Sequence, residues 1–180
     1  MKIIPIEIRN GMMPTKGSEY AAAYDVYVPE DFELTGRRHI IPLGFCIGLP
    51  IGWKANIRPR SGYSAKGMEA EVRTLYRRFT GEEYTSTKKV RIDADVLLGL
   101  IDSDFRDEVG VIIRVNTLDS YAPQLYDFDT IVENHVYITK GTRIAQMEIS
   151  KSSETDLFEV PELNRDIDRG GGFGHTNEQG

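Results

Sequence analysis

Residues 39–58 read HIIPLGFCIGLPIGWKANIR, two apolar runs separated by Pro50, Ile51 and Gly52. The apolar residues are not spaced three or four positions apart, as an amphipathic helix requires. Short runs rich in β-branched and aromatic residues are typical of strands, and Pro-Ile-Gly is typical of a turn between them. The segment therefore predicts strands over residues 39–49 and 53–58.

The same pattern extends along most of the chain. Further strands are predicted over residues 2–9, 22–28, 32–34, 109–116, 135–138 and 143–150, with turns at 29–31 and 140–142. Many short strands without long amphipathic helices between them indicate an all-β protein, either a sandwich, a jelly roll or a small barrel. Neither an internal repeat nor a linker divides the pattern, so we expect one domain.

The composition narrows the class of protein. A length of 180 residues suits one domain with a hydrophobic core. The net charge of -6 leaves no basic surplus to displace counterions from a nucleic acid, so we expect no nucleic-acid partner. Cys46 is the only cysteine, which suits a reducing cytoplasm. No apolar run reaches the length of a membrane span and the first residues lack a signal-peptide pattern, so we expect no membrane partner.

Two stretches are interpreted as additions to the β core. Residues 68–91 carry apolar and aromatic side chains on both sides of a Thr-Gly-Glu-Glu segment and predict a β-hairpin. Residues 117–134 mix aromatic and acidic side chains and predict a long surface loop. Each insert is either a solvated excursion or a contact surface for a partner.

Arg60, Ser61 and Gly62 form the first candidate site, directly after a predicted strand. A guanidinium fork matches phosphate oxygens, a hydroxyl adds a donor, and glycine lets backbone N–H groups approach a ligand closely. The segment therefore suits a phosphate cradle, and the alternative is a simple turn with an exposed arginine.

The segment LIDSDFR, residues 100–106, is the second candidate, since an apolar strand ends abruptly in Asp102 and Asp104. A carboxylate flanked by apolar residues can have a raised pKa and act as a base, although many such residues only mark a strand end. Asp25 and Gln146 are polar residues inside apolar runs and need polar partners if they are buried. Asp25 could also hold a hydrated metal ion.

The glycine-rich segment RGGGFG, from Arg169 to Gly174, is the third candidate. It cannot pack a core, but it offers a charged fork, open backbone amides and an aromatic ring. Such parts suit closure over a phosphorylated ligand that contains a ring, and the alternative is a loose tail.

Five segments of the chain together resemble, in order, the five motifs of the trimeric all-β dUTP pyrophosphatase (dUTPase) family. They are AAAYDVYVPED, PRSGYSAKG, GLIDSDFRDEVGV, KGTRIAQMEI and RGGGFGHT, and they span residues 21–176. The resemblance implies a distorted jelly roll (β-clip) over residues 1–168, with inserts at about 68–91 and 117–134. A flexible C-terminal lid arm over residues 169–180 would follow it.

The implied activity is hydrolysis of dUTP to dUMP and pyrophosphate by attack of water on the α-phosphorus. This reaction would limit uracil incorporation into DNA and supply dUMP for thymidylate synthesis. The resemblance implies Mg²⁺ carried on the triphosphate, a homotrimer with active sites shared between subunits, and a cytoplasmic location, in the host if the protein is viral. Asp102 matches the residue that activates the water, and Asp25 matches an acid that contacts the metal through water or supports the site.

The remaining motif positions imply substrate contacts. Gly99, Leu100 and Ile101 belong to a hairpin that would read uracil through main-chain groups, with Gly110 opposite them and the ring of Phe105 against deoxyribose. The implied contacts of the phosphates and the lid involve Arg60, Ser61, Gly62, Gln146, Arg169, Phe173 and Gly174.

The chain also departs from the family pattern. Phe105 stands where tyrosine is usual, and Ala23 and Asp107 stand where glycine is usual. The last motif is one residue short between Arg169 and Phe173, so Arg165 is an alternative to Arg169. Inserts of the second kind are familiar in phage members of the family. The alternatives to a dUTPase are a related dCTP deaminase and a nucleotide-dependent regulatory or interaction protein.

Overall fold

The structure is a computed structural model that describes residues 3–117, 129–164 and 166. This part of the chain forms fourteen strands and one short helix. In chain order they are β1 (Ile6–Ile8), β2 (Thr15–Lys16), β3 (Tyr24–Tyr27), β4 (Phe32–Glu33), β5 (Arg38–Pro42), β6 (Phe45–Ile47), β7 (Trp53–Arg58), α1 (Ser61–Lys66), β8 (Met68–Arg77), β9 (Glu83–Ile92), β10 (Ala94–Val96), β11 (Gly99–Ile101), β12 (Gly110–Val115), β13 (Thr130–Ile138) and β14 (Arg143–Lys151). The prediction of an all-β protein is confirmed.

The strands form four antiparallel sheets. Their orders are β1-β6, β10-β12-β5, β11-β7-β14-β3-β2 and β4-β13-β8-β9. Apolar side chains from all four sheets make one core, in which Phe45, Ile57, Met68, Ile113 and Ile138 are almost fully buried. The described sheets stay open and do not close into a barrel, so a jelly-roll arrangement, and not a small barrel, is the outcome.

Residues 39–49, predicted as one strand, form two strands. The break lies at Gly44, whose φ of 70° favours glycine. The carbonyl oxygen of Gly44 accepts hydrogen bonds from the backbone N–H groups of Arg9 and Gly11, at 2.9 and 3.0 Å. A Cβ atom at Gly44 would lie 2.3 Å from the nitrogen of Gly11. This close approach of the N-terminal segment ends one strand and starts the next.

The predicted hairpin is present as β8 and β9, paired from Met68↔Ile92 to Arg77↔Glu83. Its base belongs to the core, since Met68, Ala70 and Val72 are buried at alternate positions of β8. The other edge of β8 pairs with β13. The hairpin is therefore joined to the domain by a sheet.

The predicted surface loop over residues 117–134 is wrong at its end, because residues 130–134 belong to β13. The sequence there is polar, and what makes it a strand is the ladder with β8, which includes Glu133↔Leu75 and Asn134↔Thr74. Residues 118–128 of that prediction lie outside the described residues. Among the described residues, no helix combines the length and the apolar character needed to cross a membrane.

Candidate active site

An apolar slot lies beside β11 and contains five of the predicted site residues. Its volume is about 150 Å³. The residues that line it are Ile57, Leu97, Gly99, Leu100, Ile101, Phe105, Val109, Gly110 and Ile112. The structure thus brings together Gly99, Leu100, Ile101, Phe105 and Gly110, as predicted.

The slot forms where the chain passes from one sheet to another. β10 pairs with β12, whereas β11 pairs with β7 through Gly99↔Ile57 and Ile101↔Ala55. Between them the backbone N–H of Leu97 donates to the carbonyl of Ile112 at 2.8 Å. Since the lining side chains are all apolar, main-chain groups supply the polar contacts that a base in this slot would make.

Gly110 lines the slot next to Ile40, whose side chain is exposed. A Cβ atom there would lie 2.8 Å from Cγ2 of Ile40, closer than side chains normally pack. At Gly99 the corresponding distance, to Cβ of Ile57, is an ordinary 3.5 Å. The sequence did not single out Ile57, Val109 or Ile112, because they line the slot only through the pairing of their strands, whereas Leu97 lies within the predicted base-reading segment, residues 94–101.

Asp102 and Phe105 lie in a tight turn that directly follows β11. The backbone N–H of Phe105 donates to the carbonyl of Asp102 at 3.2 Å. Nη1 of Arg106 donates to the carbonyls of Ser103 and Phe105, both at 2.7 Å, and so ties the turn together. The carboxylate of Asp102 is exposed, whereas its neighbour Ile101 is buried and anchors the turn. The turn therefore presents a solvent-accessible carboxylate beside the slot.

A second group of predicted residues surrounds Asp25, which is only 4% exposed. Its Oδ1 lies 3.3 Å from Nε of Arg60 and accepts a long hydrogen bond from Nε2 of Gln146 at 3.4 Å. Its Oδ2 lies 3.5 Å from Nη1 of Arg143. Strand pairing makes this cluster, because Gln146 lies opposite Asp25 on one side of β14 and opposite Arg58 on the other. We call Asp25, Arg60, Arg143 and Gln146 the Asp25 cluster.

Arg60 is held from three sides. Its Nη1 donates to the carbonyl of Arg143 at 3.3 Å, and its guanidinium lies 5.4 Å from the ring centre of Tyr63. Its Nε is buried and, among the described residues, makes only the charge contact with Asp25. Burial raises the pKa of the Tyr63 hydroxyl, so the ring beneath Arg60 stays neutral. These contacts restrict where the guanidinium can point.

Three features of this region were not predicted from the sequence. The segment interpreted as a phosphate cradle or, alternatively, a simple turn forms α1, in which the carbonyl of Arg60 accepts from the backbone N–H groups of Tyr63 and Ser64. Tyr63 is buried and holds the helix against the core. Arg143 was quoted within a motif but not assigned, and only the strand register shows that it reaches Asp25.

Ser61 and Gly62 begin α1, next to Arg60. Both residues are exposed, and a Cβ atom at Gly62 would meet nothing within 4 Å. Among the described residues, no neighbour therefore requires glycine at this position. The space above its backbone is open to a ligand.

Within one chain Asp102 and Arg60 lie apart along β7. Asp102 follows Ile101, which pairs with Ala55 near the start of β7, whereas Arg60 follows the end of β7. At about 3.3 Å per residue, this register separates Asp102 from Arg60 by roughly 20 Å along the strand. One chain does not bring these two groups together.

The residues present do not form a protein cage for a metal ion. Among the described residues, no group of three or more His, Cys, Asp or Glu side chains is arranged to hold one. The two oxygens of Asp25 face Arg60, Gln146 and Arg143.

The predicted lid residues Arg169, Phe173 and Gly174, and the alternative Arg165, lie outside the described residues.

The open antiparallel sheets define a small jelly-roll protein. Its apolar slot and the arginines around the buried Asp25 suit a phosphorylated ligand that contains a ring. Comparison with known proteins agrees with this class. The model of the dUTPase family matches residues 9–85. The deoxyuridine 5'-triphosphate nucleotidohydrolase of Syntrophotalea carbinolica is 31% identical over 183 residues, which cover 98% of this chain and 99% of the relative. The enzyme of the same name from Paramecium bursaria Chlorella virus 1 is 30% identical, over 94% of this chain and 92% of its own.

Solved structures share the fold. One is a mutant of the dUTPase of Staphylococcus bacteriophage 80alpha with dUpNHpp, which has a TM-score of 0.71 and 21% sequence identity. The match covers 98% of this chain and 99% of that chain. A mutant dUTPase of phage phi11 of S. aureus, described with a structural Mg(II) ion, has a TM-score of 0.65 and 19% identity, covering 90% and 99%. The chain belongs to the dUTPase family.

Proposed function

We propose that this protein is a dUTP diphosphatase that hydrolyses dUTP to dUMP and pyrophosphate. The observation that carries the proposal is the apolar slot of Gly99, Leu100, Ile101, Phe105 and Gly110, with the carboxylate of Asp102 in the turn beside it. Family membership and relatives named for this reaction support it.

In this proposal the slot holds uracil and deoxyribose. Main-chain groups of residues 99–101 pair with the uracil edge, and the apolar walls leave little room for a larger or differently bonded base. Phe105 packs its ring against the sugar. Because phenylalanine has no hydroxyl, it provides packing alone, which limits its discrimination against a 2′-hydroxyl to steric exclusion.

Asp102 acts as the general base. Its exposed carboxylate can accept a proton from a water molecule aligned with the α-phosphorus, and the water oxygen then forms the new P–O bond while the bond to the pyrophosphate leaving group breaks. The turn tied by Arg106 restricts where the carboxylate can lie. Such positioning is a large part of catalysis in phosphoryl transfer.

Arg60, Ser61, Gly62 and Gln146 bind the phosphates. Asp25 orients Arg60 and Gln146, so that the guanidinium and the amide face the substrate with restricted freedom. Mg²⁺ bound to phosphate and water oxygens would neutralise the triphosphate and the leaving pyrophosphate. Since the Asp25 oxygens already face cationic and amide groups, Asp25 would approach that ion only through water.

The site is completed by a homotrimer and by the C-terminal arm. The separation of Asp102 from Arg60 along β7 supports a site that takes Asp102 from one subunit and the Asp25 cluster from another. Arg169 would reach the γ-phosphate, and Phe173 and Gly174 would cover uracil as a lid. We place the enzyme in the cytoplasm, which suits its single, buried Cys46.

A dCTP deaminase is less consistent with the slot. Deamination needs an acid–base group at the edge of the base, and the side chains that line the slot are all apolar. One assay separates the two reactions. Purified protein is incubated with Mg²⁺ and dUTP, dCTP, UTP or dTTP, and pyrophosphate and ammonia are quantified. We expect pyrophosphate from dUTP, whereas ammonia from dCTP, or no pyrophosphate from dUTP, would refute the proposal.

A further inference from the structure

Three arginines surround a second cleft, which lies outside the slot and the Asp25 cluster. Its volume is about 350 Å³, and it is lined by Arg37, Arg38, Arg114, Val115 and Asn116. We call it the arginine cleft. It lies at the end of β5 and β12 where Arg38 pairs with Arg114, away from the Gly110↔Pro42 end.

Arg37 and Arg38 have no charged partner within the described part of the chain. Neither guanidinium there makes an ion pair or a hydrogen bond, although every other described arginine makes at least one. This occurs in a chain whose net charge is -6. Both residues line the cleft, so their charges make it a local positive centre that an anion would stabilise.

Arg114 is oriented by neighbouring polar groups. Its Nη2 donates to Oδ2 of Asp95 at 2.8 Å, and Nδ2 of Asn116 donates to the same carboxylate at 3.2 Å and to Asp93 at 2.9 Å. The hydrogen bonds from Arg114 and Asn116 lower the pKa of Asp95, which therefore stays ionised. Among the described residues, the remaining N–H groups of Arg114 make no hydrogen bond.

The backbone of the cleft belongs to regular strands. Arg114 pairs with Arg38 on β5 and with Asp95 on β10. The backbone N–H of Val115 donates to the carbonyl of Arg37 at 2.8 Å, which holds the residue just before β5. The three arginines are thus attached to a hydrogen-bonded sheet and keep their relative positions.

We propose that the arginine cleft binds the phosphate group of a small ligand. Guanidinium forks match the oxygens of a phosphate in paired hydrogen bonds, and the unpaired charges of Arg37 and Arg38 match the two charges of a phosphate dianion. The carboxylates of Asp93 and Asp95 lie beside Asn116 and Arg114, so the positively charged surface is short. A short positive surface suits a small anion and not a long polyanion. On β12, Gly110 and Ile112 line the slot. Arg114 is the next residue on the same face of β12, about 7 Å from Ile112 along the strand.

Isothermal titration calorimetry tests this site, with sodium pyrophosphate and ATP as separate probes at constant ionic strength. The wild-type protein is compared with the double variant Arg37→Gln/Arg38→Gln. The matched control is Arg9→Gln, an exposed arginine that pairs with Glu7 away from the cleft. The Asp25 cluster is intact in all three proteins, so a difference between them reports the arginine cleft. Circular dichroism and thermal unfolding verify that each variant is folded.

We expect the double variant to bind at least one probe tenfold or more weakly than wild type, with the control unchanged. A loss for both probes identifies the phosphate alone as the ligand, and a loss for ATP only identifies a nucleotide. Binding of both probes by the double variant as tightly as by wild type would overturn the proposal. An equal loss in Arg9→Gln would also overturn it, because the effect would then reflect net charge alone.

Discussion

At the scale of single residues, the chemistry of the site depends on a few side chains whose positions have different causes. Asp102 is exposed in a turn, whereas Asp25 is buried among cationic groups. The two carboxylates therefore suit different roles, Asp102 in proton transfer and Asp25 in positioning. Two substitutions test this division.

Asp102→Asn keeps the size of the side chain and removes its basicity. We expect binding of dUTP to persist and kcat to fall by about 10²–10⁴-fold, the usual contribution of a general base. Single-turnover hydrolysis with excess enzyme measures the chemical step. Asp104→Asn, an exposed carboxylate of the same turn, is the control and should stay close to wild type. Unchanged turnover in Asp102→Asn would remove this residue as the base.

Asp25→Asn removes the charge that Arg60 and Arg143 face. Breaking a buried ion pair leaves uncompensated charge, and since the Arg60 side chain is 22% exposed we expect a loss on the order of 2 kcal/mol in the free energy of unfolding. Urea denaturation measures it, and activity should fall as Arg60 loses its orientation.

The control for Asp25→Asn is Glu148→Gln, which breaks the exposed ion pair with Arg58. An exposed pair contributes about 1 kcal/mol or less, so this variant should be nearly as stable as wild type. Equal losses in the two variants would show that burial of Asp25 has no special energetic effect.

Gly110→Ala places a methyl group 2.8 Å from Cγ2 of Ile40. Because Ile40 is exposed and can move aside, we expect a loss of stability of about 1 kcal/mol or less, whereas the added methyl group narrows the slot and raises KM for dUTP. Steady-state kinetics and thermal unfolding measure both effects. Gly36→Ala is the matched control, because its Cβ would meet nothing within 4 Å. A normal KM in Gly110→Ala would place the base outside this slot.

At the scale of elements, strand pairing determines which residues form strands where the local sequence pattern does not. Residues 53–58 are a strand both by prediction and in the structure, since their apolar residues pack into the core. Residues 130–134 are polar and become a strand only because β8 provides a partner edge. α1 has only six residues, so its sequence shows little helical periodicity. Burial of Tyr63 holds it against the core.

The pairing of β4 with β13 includes a group whose charge depends on pH. His135 on β13 bonds Glu33 of β4 through Nδ1 at 2.5 Å, and its Nε2 lies 3.6 Å from Glu133. The ring of Tyr137 also lies beside it. Hydrogen bonding to Glu33 raises the pKa of His135 above its usual value.

Since the pKa is higher in the folded state, protonated His135 contributes stability that is fully present below about pH 6.5 and is lost as pH rises through the folded-state pKa. We expect the difference in unfolding free energy between wild type and His135→Gln to shrink from pH 5.5 to pH 8.5. Urea titrations across roughly this range measure it. A difference that does not change with pH would show that the ion pair adds nothing.

At the scale of the whole molecule, the distance between Asp102 and the Asp25 cluster predicts how subunits cooperate. If each site takes Asp102 from one subunit and Arg60 from another, two inactive variants complement each other. Co-expression of Asp102→Asn and Arg60→Gln chains in equal amounts should restore about a quarter of wild-type activity, because random trimers contain that share of intact sites.

Complementation is measured as dUTP hydrolysis by the purified mixed trimers. Each variant purified alone is the control and should be nearly inactive. A mixture as inactive as its components would show that one chain supplies both groups of a site. The test therefore decides the assembly of the site independently of the identity of the base.

The sequence by itself determined the all-β class, the hairpin over β8 and β9 and the identity of the chemical groups, because alternating patterns and short motifs are local properties of the chain. Only the tertiary structure decided that Ile57 and Ile112 line the slot with Gly99 and Leu100, and that Arg143 reaches Asp25. It also decided that Arg37, Arg38 and Arg114 share one cleft. These arrangements depend on the register between strands that are distant in sequence, and register is set by packing of the whole core.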